Sequence, residues 1–240
     1  MRKTVLAGLL AGMIAMAPSQ AKEKEAKTEG DTQVVATVNG EPVTKAEWST
    51  IMKVDQWHGP ELKEASGIKE KMQGKPYDDY FFREEVIKIR AMAQKYRDAL
   101  PQMKGAIDAV YEKAKKGEDF LALARQYSQE ASAASGGDLG EKELKDLVFP
   151  FSRVALSLKA GEISEPVLTI FGYHVIKVDR VFPALPHELK HKRVAVRHIL
   201  IRFPSQDPRA EAETLASQAK VEILDKGLCK KLVSYCPKEG

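Results

Sequence analysis

The block from Tyr127 to Val178 constrains this chain most, because a Gly-rich turn there is followed by two short apolar runs. It reads YSQEASAASGGDLG, then VFPFSRVALSL, then GEISEPVLTIFGYHVIKV. Gly136 and Gly137 supply backbone freedom for a turn into Asp138-Leu139-Gly140. The run from Phe149 to Leu158 predicts a short helix. Gly161 then leads into two strands, Ile163 to Leu168 and Tyr173 to Val181, joined at Phe171-Gly172. Two helices precede the block: one from about Met103 to Lys116 and, after a turn at Gly117, one carrying Phe120, Leu123, Ala124 and Tyr127. Helices followed by an antiparallel pair indicate an α+β domain. The block also gathers His174, the acidic Glu130 and an apolar shelf at Leu147 and Phe151, and few other places offer candidates for chemistry.

Upstream, VVATVNGEPVT holds two β-prone runs around Asn39-Gly40, a strong hairpin signal. Thr44 followed by Glu47 makes a capping box that opens a helix through Trp48, Ile51 and Met52. The stretch from His58 to Asp78 is polar and broken by Gly and Pro, which predicts a loop with a short helix. Phe82, Val86, Ile89, Ala93 and Tyr96 recur at helical spacing, predicting one helix from about Asp79 to Leu100, with Pro101 at its end or at a bend. Downstream, Pro183 to His191 reads as a linker. Then VAVRHILIRF (Val194 to Phe203) has strong β character, PRAEAETLASQAKVEILDKG reads as a helix, and LCKKLVSYC as a second one.

With 240 residues, 43% hydrophobic and 30% charged, the chain has ordinary globular composition for one or two small domains. The net charge of +4 is spread too thinly to suggest nucleic-acid binding. Residues 1–21 run from basic Arg2-Lys3 through an apolar stretch to Ser19-Gln20-Ala21, the form of a cleavable secretory leader. The charged run from Lys22 to Thr32 lacks large apolar side chains and predicts a disordered linker. No later segment is apolar enough to cross a membrane, so an exported chain without stable membrane insertion is expected. An oxidising compartment permits a disulfide between Cys229 and Cys236. On one continuous helix their Cα atoms would stand about 10 Å apart, so a bridge requires the helix to end between them. Half-buried free thiols are the alternative.

The spaced motifs KKGEDF (Lys115 to Phe120), GGDLG (Gly136 to Gly140), Pro150-Phe151, GEISEPV (Gly161 to Val167) and FGYHVIKV (Phe171 to Val178) resemble the parvulin family of peptidyl-prolyl cis/trans isomerases. The opening VVATVNGEPVTKAEW resembles the start of exported SurA/PrsA-type foldases, where such helices form a chaperone module. The resemblance implies a parvulin-like antiparallel sheet with surrounding helices. It implies catalytic positions at His174, His198, Glu130 and Thr169, and a proline pocket at Leu147 and Phe151. In the family the two histidines hydrogen-bond beneath the substrate, Glu130 stands where Cys or Asp is usual, and no cofactor is used. The residues alone also admit plainer readings: His174 as a core histidine, Phe151 and Leu147 as ordinary core, Glu130 as a surface carboxylate and Thr169 as a strand hydroxyl.

Two departures from the family stand out. EKELKD, with Lys142, replaces the aromatic and Gly-rich segment that usually follows GGDLG. The first strand, which should carry a histidine before the first helix, is missing: KYRDALPQMKGAI passes from helix to helix. The only candidate is VAVRHILIRF, which lies after the domain. Laid antiparallel beside the strand of His174, it would rebuild the sheet as a circular permutation. The alternatives are a second, half-complete parvulin unit and strand exchange in a homodimer. In-chain completion leaves no central slot of unpaired backbone groups and is favoured. The expected organisation is a leader (1–21), a linker (22–33), a hairpin and helical module (34–101), a parvulin-like domain lacking its first strand (102–182), and a C-terminal strand and helices (183–240). The expected function is an exported prolyl isomerase and chaperone for unfolded secreted or outer-membrane polypeptides. A non-catalytic periplasmic holdase that uses the same domain for peptide binding is the alternative.

Overall fold

The computed structural model describes residues 32–52, 72, 74–143, 146–182 and 193–236. The expected leader, nearly all of the first linker and the linker from Pro183 to His191 lie outside them. Strands β1 (Val34–Val38) and β2 (Glu41–Thr44) form the hairpin. Asn39 and Gly40 both take positive φ, 51° and 83°, as a two-residue hairpin turn demands. The Thr44 hydroxyl accepts the Glu47 N–H at 3.2 Å, capping the helical residues 45–52.

Helix α1 (Tyr77–Phe82) runs through a π-helical turn (Arg83–Ile87) into α2 (Lys88–Lys95). The single helix expected to reach Leu100 therefore ends early, at Tyr96, whose φ and ψ of −105° and 22° leave the helical region. Pro101 lies in the first turn of α3 (Leu100–Lys115), where its missing N–H has no partner to lose, so it opens a helix rather than closing one. Helix α4 (Phe120–Tyr127) is capped by Asp119, whose carboxylate accepts the N–H groups of Leu121 and Ala122. After a 3-10 turn (Ala131–Ser135) come β3 (Asp138–Glu143), α5 (Phe149–Ser157), β4 (Val167–Thr169) and β5 (Gly172–Phe182). The strand expected from Ile163 shrinks to three residues, with Ile163 making only an isolated bridge to Lys177.

The displaced strand, β6 (Arg193–Arg202), lies antiparallel between β5 and β3 in a four-stranded sheet of order β3-β6-β5-β4. Its register with β5 runs from Phe182↔Arg193 to Gly172↔Arg202, so the two strands form a hairpin within one chain. One face packs Val175, Ile199 and Ile201 against α3 and α4 through Ile107, Val110, Leu123 and Ala124. The other packs Ile176, Val178, Val194 and Val196 against Phe151 and Ala155 of α5. Two-residue alternation thus sorts each strand between two cores.

After β6 the chain leaves this unit. Helix α6 (Pro208–Gln218) ends where Ala219 turns extended, and β7 (Val221–Ile223) adds to β1, giving a second sheet of order β2-β1-β7. The helix expected across this stretch is therefore broken, because β1 offers an open edge whose pairing outweighs local helix preference. The last segment holds α7 (Lys226–Cys229) and a 3-10 turn (Val233–Tyr235) instead of a second long helix. Their junction brings Cys229 and Cys236 to a Cα separation of 5.7 Å, and they are disulfide-bonded. Leu228 and Leu232 enter the same core as Val35, Val43, Phe81 and Phe82, so the β1–β2 hairpin and the segment after β7 build one module rather than a second parvulin unit. Phe149 stacks edge-on against Phe81 at 5.1 Å and joins that module to α5.

Gly137 has φ +75°, and a Cβ there would collide with the carbonyl oxygen of His198. Gly117 also has positive φ, but open space surrounds it. Gly137→Ala should cost at least about 3 kcal/mol in chemical denaturation, through backbone strain plus separation of β3 from β6. Gly117→Ala should cost only about 1–2 kcal/mol.

Candidate active site

Pairing of β5 with β6 sets Ile176 opposite His198 and Leu200 opposite His174, so the histidines are diagonal neighbours on one face. Their rings stack at 5.1 Å, 18° from parallel, with Nδ1 to Nδ1 at 2.9 Å. Both side chains are almost wholly buried, at 3% and 4% exposure. At one end the Thr169 hydroxyl lies 2.9 Å from His174 Nε2 and accepts the Phe171 N–H at 3.0 Å. At the other, His198 Nε2 lies 2.6 Å from Glu130 Oε1, which also accepts the Ser132 hydroxyl.

The protons can be placed by requiring each buried donor to meet an acceptor. The Glu130 carboxylate only accepts, so His198 carries its proton on Nε2 and offers Nδ1 as acceptor. His174 must then donate from Nδ1, leaving its Nε2 to accept from Thr169, whose oxygen accepts from Phe171. Every group is satisfied with both rings neutral. Burial, reinforced by neighbouring His198, pushes the pKa of His174 well below the ordinary value. The hydrogen bond from His198 draws the Glu130 carboxyl below its ordinary range, against the opposing effect of burial, with Ser132 assisting.

Phe151 stands edge-on over both rings, 5.3 Å from His174 and 5.6 Å from His198. Leu147 is half-buried against the cluster that contains Phe151, together with Leu139 and Val167. The structure thus joins Thr169, His174, His198 and Glu130 in one hydrogen-bonded line, with Phe151 above it and Leu147 on the flanking apolar wall. Sequence reasoning missed Ser132 and the stitching that aims Glu130. As α4 ends, the Ser128 hydroxyl accepts the Leu200 N–H at 3.1 Å, and the Gln129 N–H donates to the Leu200 carbonyl at 2.8 Å. Both bonds cross to a strand some seventy residues away, so no local pattern announces them. Ser132, two residues beyond Glu130, was the one nearby signal, a hydroxyl within reach of its carboxylate.

The depressed pKa of His174 means that the unfolded chain takes up a proton, near the ordinary value of about 6.5, before the folded one does. Stability should therefore be full above pH 6.5 and fall on acidification by up to about 1.4 kcal/mol per pH unit. Glu130, whose folded pKa is also depressed, should add a further loss below pH 4.5. Denaturant midpoints from pH 8 to 4 check this, and His174→Gln should flatten the slope between pH 6.5 and 5.

Residues 87–180 match the family described as "Rotamase: PPIC-type PPIASE domain". The chain is 32% identical over 192 residues to Foldase protein PrsA of Geobacillus kaustophilus (strain HTA426), covering 79% of this chain and 63% of that one. It is 40% identical over 114 residues to Foldase protein PrsA of Geobacillus sp. (strain WCH70), covering 47% and 41%. Over 72 residues it is 47% identical to Chaperone SurA of Methylobacillus flagellatus, covering 30% and 16%. The chain thus spans between 41% and 63% of the length of the two foldases. Against the crystal structure of the peptidylprolyl isomerase PrsA from Bacillus anthracis the TM-score is 0.28 at 18% identity, covering 78% and 83%, so the assignment rests on the sequence matches. Residues 87–180, which hold Glu130, Phe151, Thr169 and His174, thus match the PPIC-type rotamase family, and the chain is similar to PrsA foldases and SurA chaperones.

Proposed function

We propose that the chain is an exported peptidyl-prolyl cis/trans isomerase and folding chaperone acting on unfolded polypeptides. The observation that carries this reading is the Thr169–His174–His198–Glu130 line lying beneath Phe151. Rotation about an X-Pro bond is slow because amide resonance imposes a barrier of about 18–20 kcal/mol. A site lowers that barrier by binding the twisted imide better than the planar one, without covalent chemistry. Phe151 and Leu147 supply an apolar wall for the proline ring. Glu130, held ionised at the end of the line, would bring negative charge near the imide carbonyl. Such charge disfavours the resonance form with a negative oxygen, and with it the planarity that the form enforces. In this reading the histidines position Glu130 and need not transfer protons.

Export rests on the form of residues 1–21, and the Cys229–Cys236 disulfide fits an oxidising compartment. Because β6 completes its sheet within the chain, the site needs no strand exchange in a homodimer. A second reading, a non-catalytic holdase, is favoured by one observation: β3 carries the charged run Glu141-Lys142-Glu143 where the family has its aromatic rim.

Accelerated isomerisation of an X-Pro tetrapeptide is the expected result. Phe151→Ala should lower kcat/KM roughly 10- to 100-fold, from about 1.5–3 kcal/mol of lost apolar contact. Glu130→Gln should lower kcat by at least about tenfold while leaving KM within about twofold. No acceleration by the unaltered chain, alongside suppressed aggregation of an unfolded client, would establish the holdase instead.

A further inference from the structure

Three large hydrophobic side chains are exposed among the described residues: Val34 at 37%, Leu224 at 56% and Val233 at 55%. They do not scatter. The N–H groups of Leu224 and Asp225 donate to the carbonyl of Val35, which places them beside Val34 at the end of the β2-β1-β7 sheet. The 3-10 turn of Val233 packs against β7, and the Cys229–Cys236 disulfide staples that turn to α7. Close in sequence to Leu224 and Val233 lie Lys226, Lys230 and Lys231, all exposed and none in an ion pair with an acidic side chain among the described residues. The acidic neighbours are engaged elsewhere: Asp225 caps Leu228 and Glu222 pairs with Lys220.

We propose that this stapled C-terminal turn is a docking surface for an anionic lipid bilayer. Leu224 and Val233 are more than half exposed, so they project from the surface rather than line a groove. A projecting apolar tip suits the headgroup boundary, whereas an extended peptide needs a trough. The lysines have long apolar stems that allow their ammonium groups to meet lipid phosphates while the leucine and valine dip below them. A second copy of the same patch is disfavoured, since pairing would oppose the lysines of one copy to those of the other. No helix among the described residues is long and apolar enough to cross a membrane, so the contact would be peripheral. The disulfide contributes by holding the tip in shape before contact, which reduces the ordering that binding requires. The proposal is independent of whether the histidine site turns over X-Pro bonds.

The test is sedimentation of the exported, processed chain with vesicles of 30% phosphatidylglycerol in phosphatidylcholine, against pure phosphatidylcholine. Binding to the anionic vesicles alone is expected, with loss at about 0.5 M NaCl. The triple variant Lys226→Glu, Lys230→Glu, Lys231→Glu should bind at least about tenfold more weakly. Leu224→Ser with Val233→Ser should also weaken binding while leaving the salt dependence in place. All five positions are exposed and away from the histidine line, so unchanged circular dichroism and denaturant midpoints show that each variant is folded. Undiminished binding by the triple variant would overturn the proposal, as would absence of binding by the unaltered chain. Capture of an acidic polypeptide such as poly-glutamate with no uptake by vesicles would also overturn it, and would assign the patch to protein partners.

Discussion

Pairing of β5 with β6 is the constraint on which the rest of the molecule depends. These strands are the two inner members of the four-stranded sheet, and among the described residues β3 and β4 pair only with them. Their register fixes which side chains face α5 and which face α3 and α4. A slip of one residue would turn His198 into the core of α3 and α4 and carry Ile199 to the site. The register is held by more than backbone bonds. The N–H of His198 donates to the Gly137 carbonyl at 2.9 Å, that of Leu200 to Ser128, and that of Arg202 to Gln129. The Gly-rich turn and the exit of α4 therefore grip β6 along its length and deliver Glu130 to the ring they have positioned.

Chain order makes this arrangement cooperative with the distant module. After completing one sheet the chain continues through α6 to supply β7, the third strand of the other. The turn of β1–β2 is clasped at the same place: Asn39 donates its N–H to the Lys220 carbonyl at 2.7 Å and accepts the Lys220 N–H on its side chain at 2.8 Å. Buried Asp79 of α1 accepts the hydroxyl and the N–H of Ser234 in the tail. Loss of residues beyond Phe182 would thus remove an inner strand of one sheet and an edge strand of the other. Such contacts are distant in sequence, so the closing of each sheet must wait for the last quarter of the chain.

Much of this was legible in the residues. The Asn39-Gly40 hairpin and the helix opening at Phe149 follow from turn chemistry and periodicity. The empty slot was implied by the resemblance to the parvulin sheet, and the demand that backbone groups pair assigned VAVRHILIRF to it. What local pattern hid is equally specific. Val221, Glu222 and Ile223 follow a helical run with no Gly or Pro between, so only the open edge of β1, about 185 residues away, makes them a strand. The helix end at Tyr96 was masked because apolar spacing continues through it, and Pro101 served as a start signal rather than a stop. Glu130 looked like a surface carboxylate because its aim comes from Ser128 and Gln129 bonding to Leu200, a contact written nowhere near it in sequence.

The hydrogen-bonded line also limits what kind of chemistry the site can host. Its proton order is forced in one direction, from the Phe171 N–H through Thr169, His174 and His198 to Glu130. Reversing a histidine tautomer or the Thr169 hydroxyl would set two acceptors or two donors against each other in a buried space, at a cost of about 1–3 kcal/mol. Protonating His174 is opposed by its burial and by its neighbour. A line whose proton order does not reverse and whose His174 resists charging is a poor relay for protons, but it is a stiff strut. Its fixed end is the Phe171 backbone amide in the β4–β5 turn, and its free end is the Glu130 carboxylate. Bond rotation in an imide asks for placed charge and an apolar grip, not for a proton carrier. Under the proposed function, the fixed proton order that makes the line a poor relay is what suits it to hold Glu130 still.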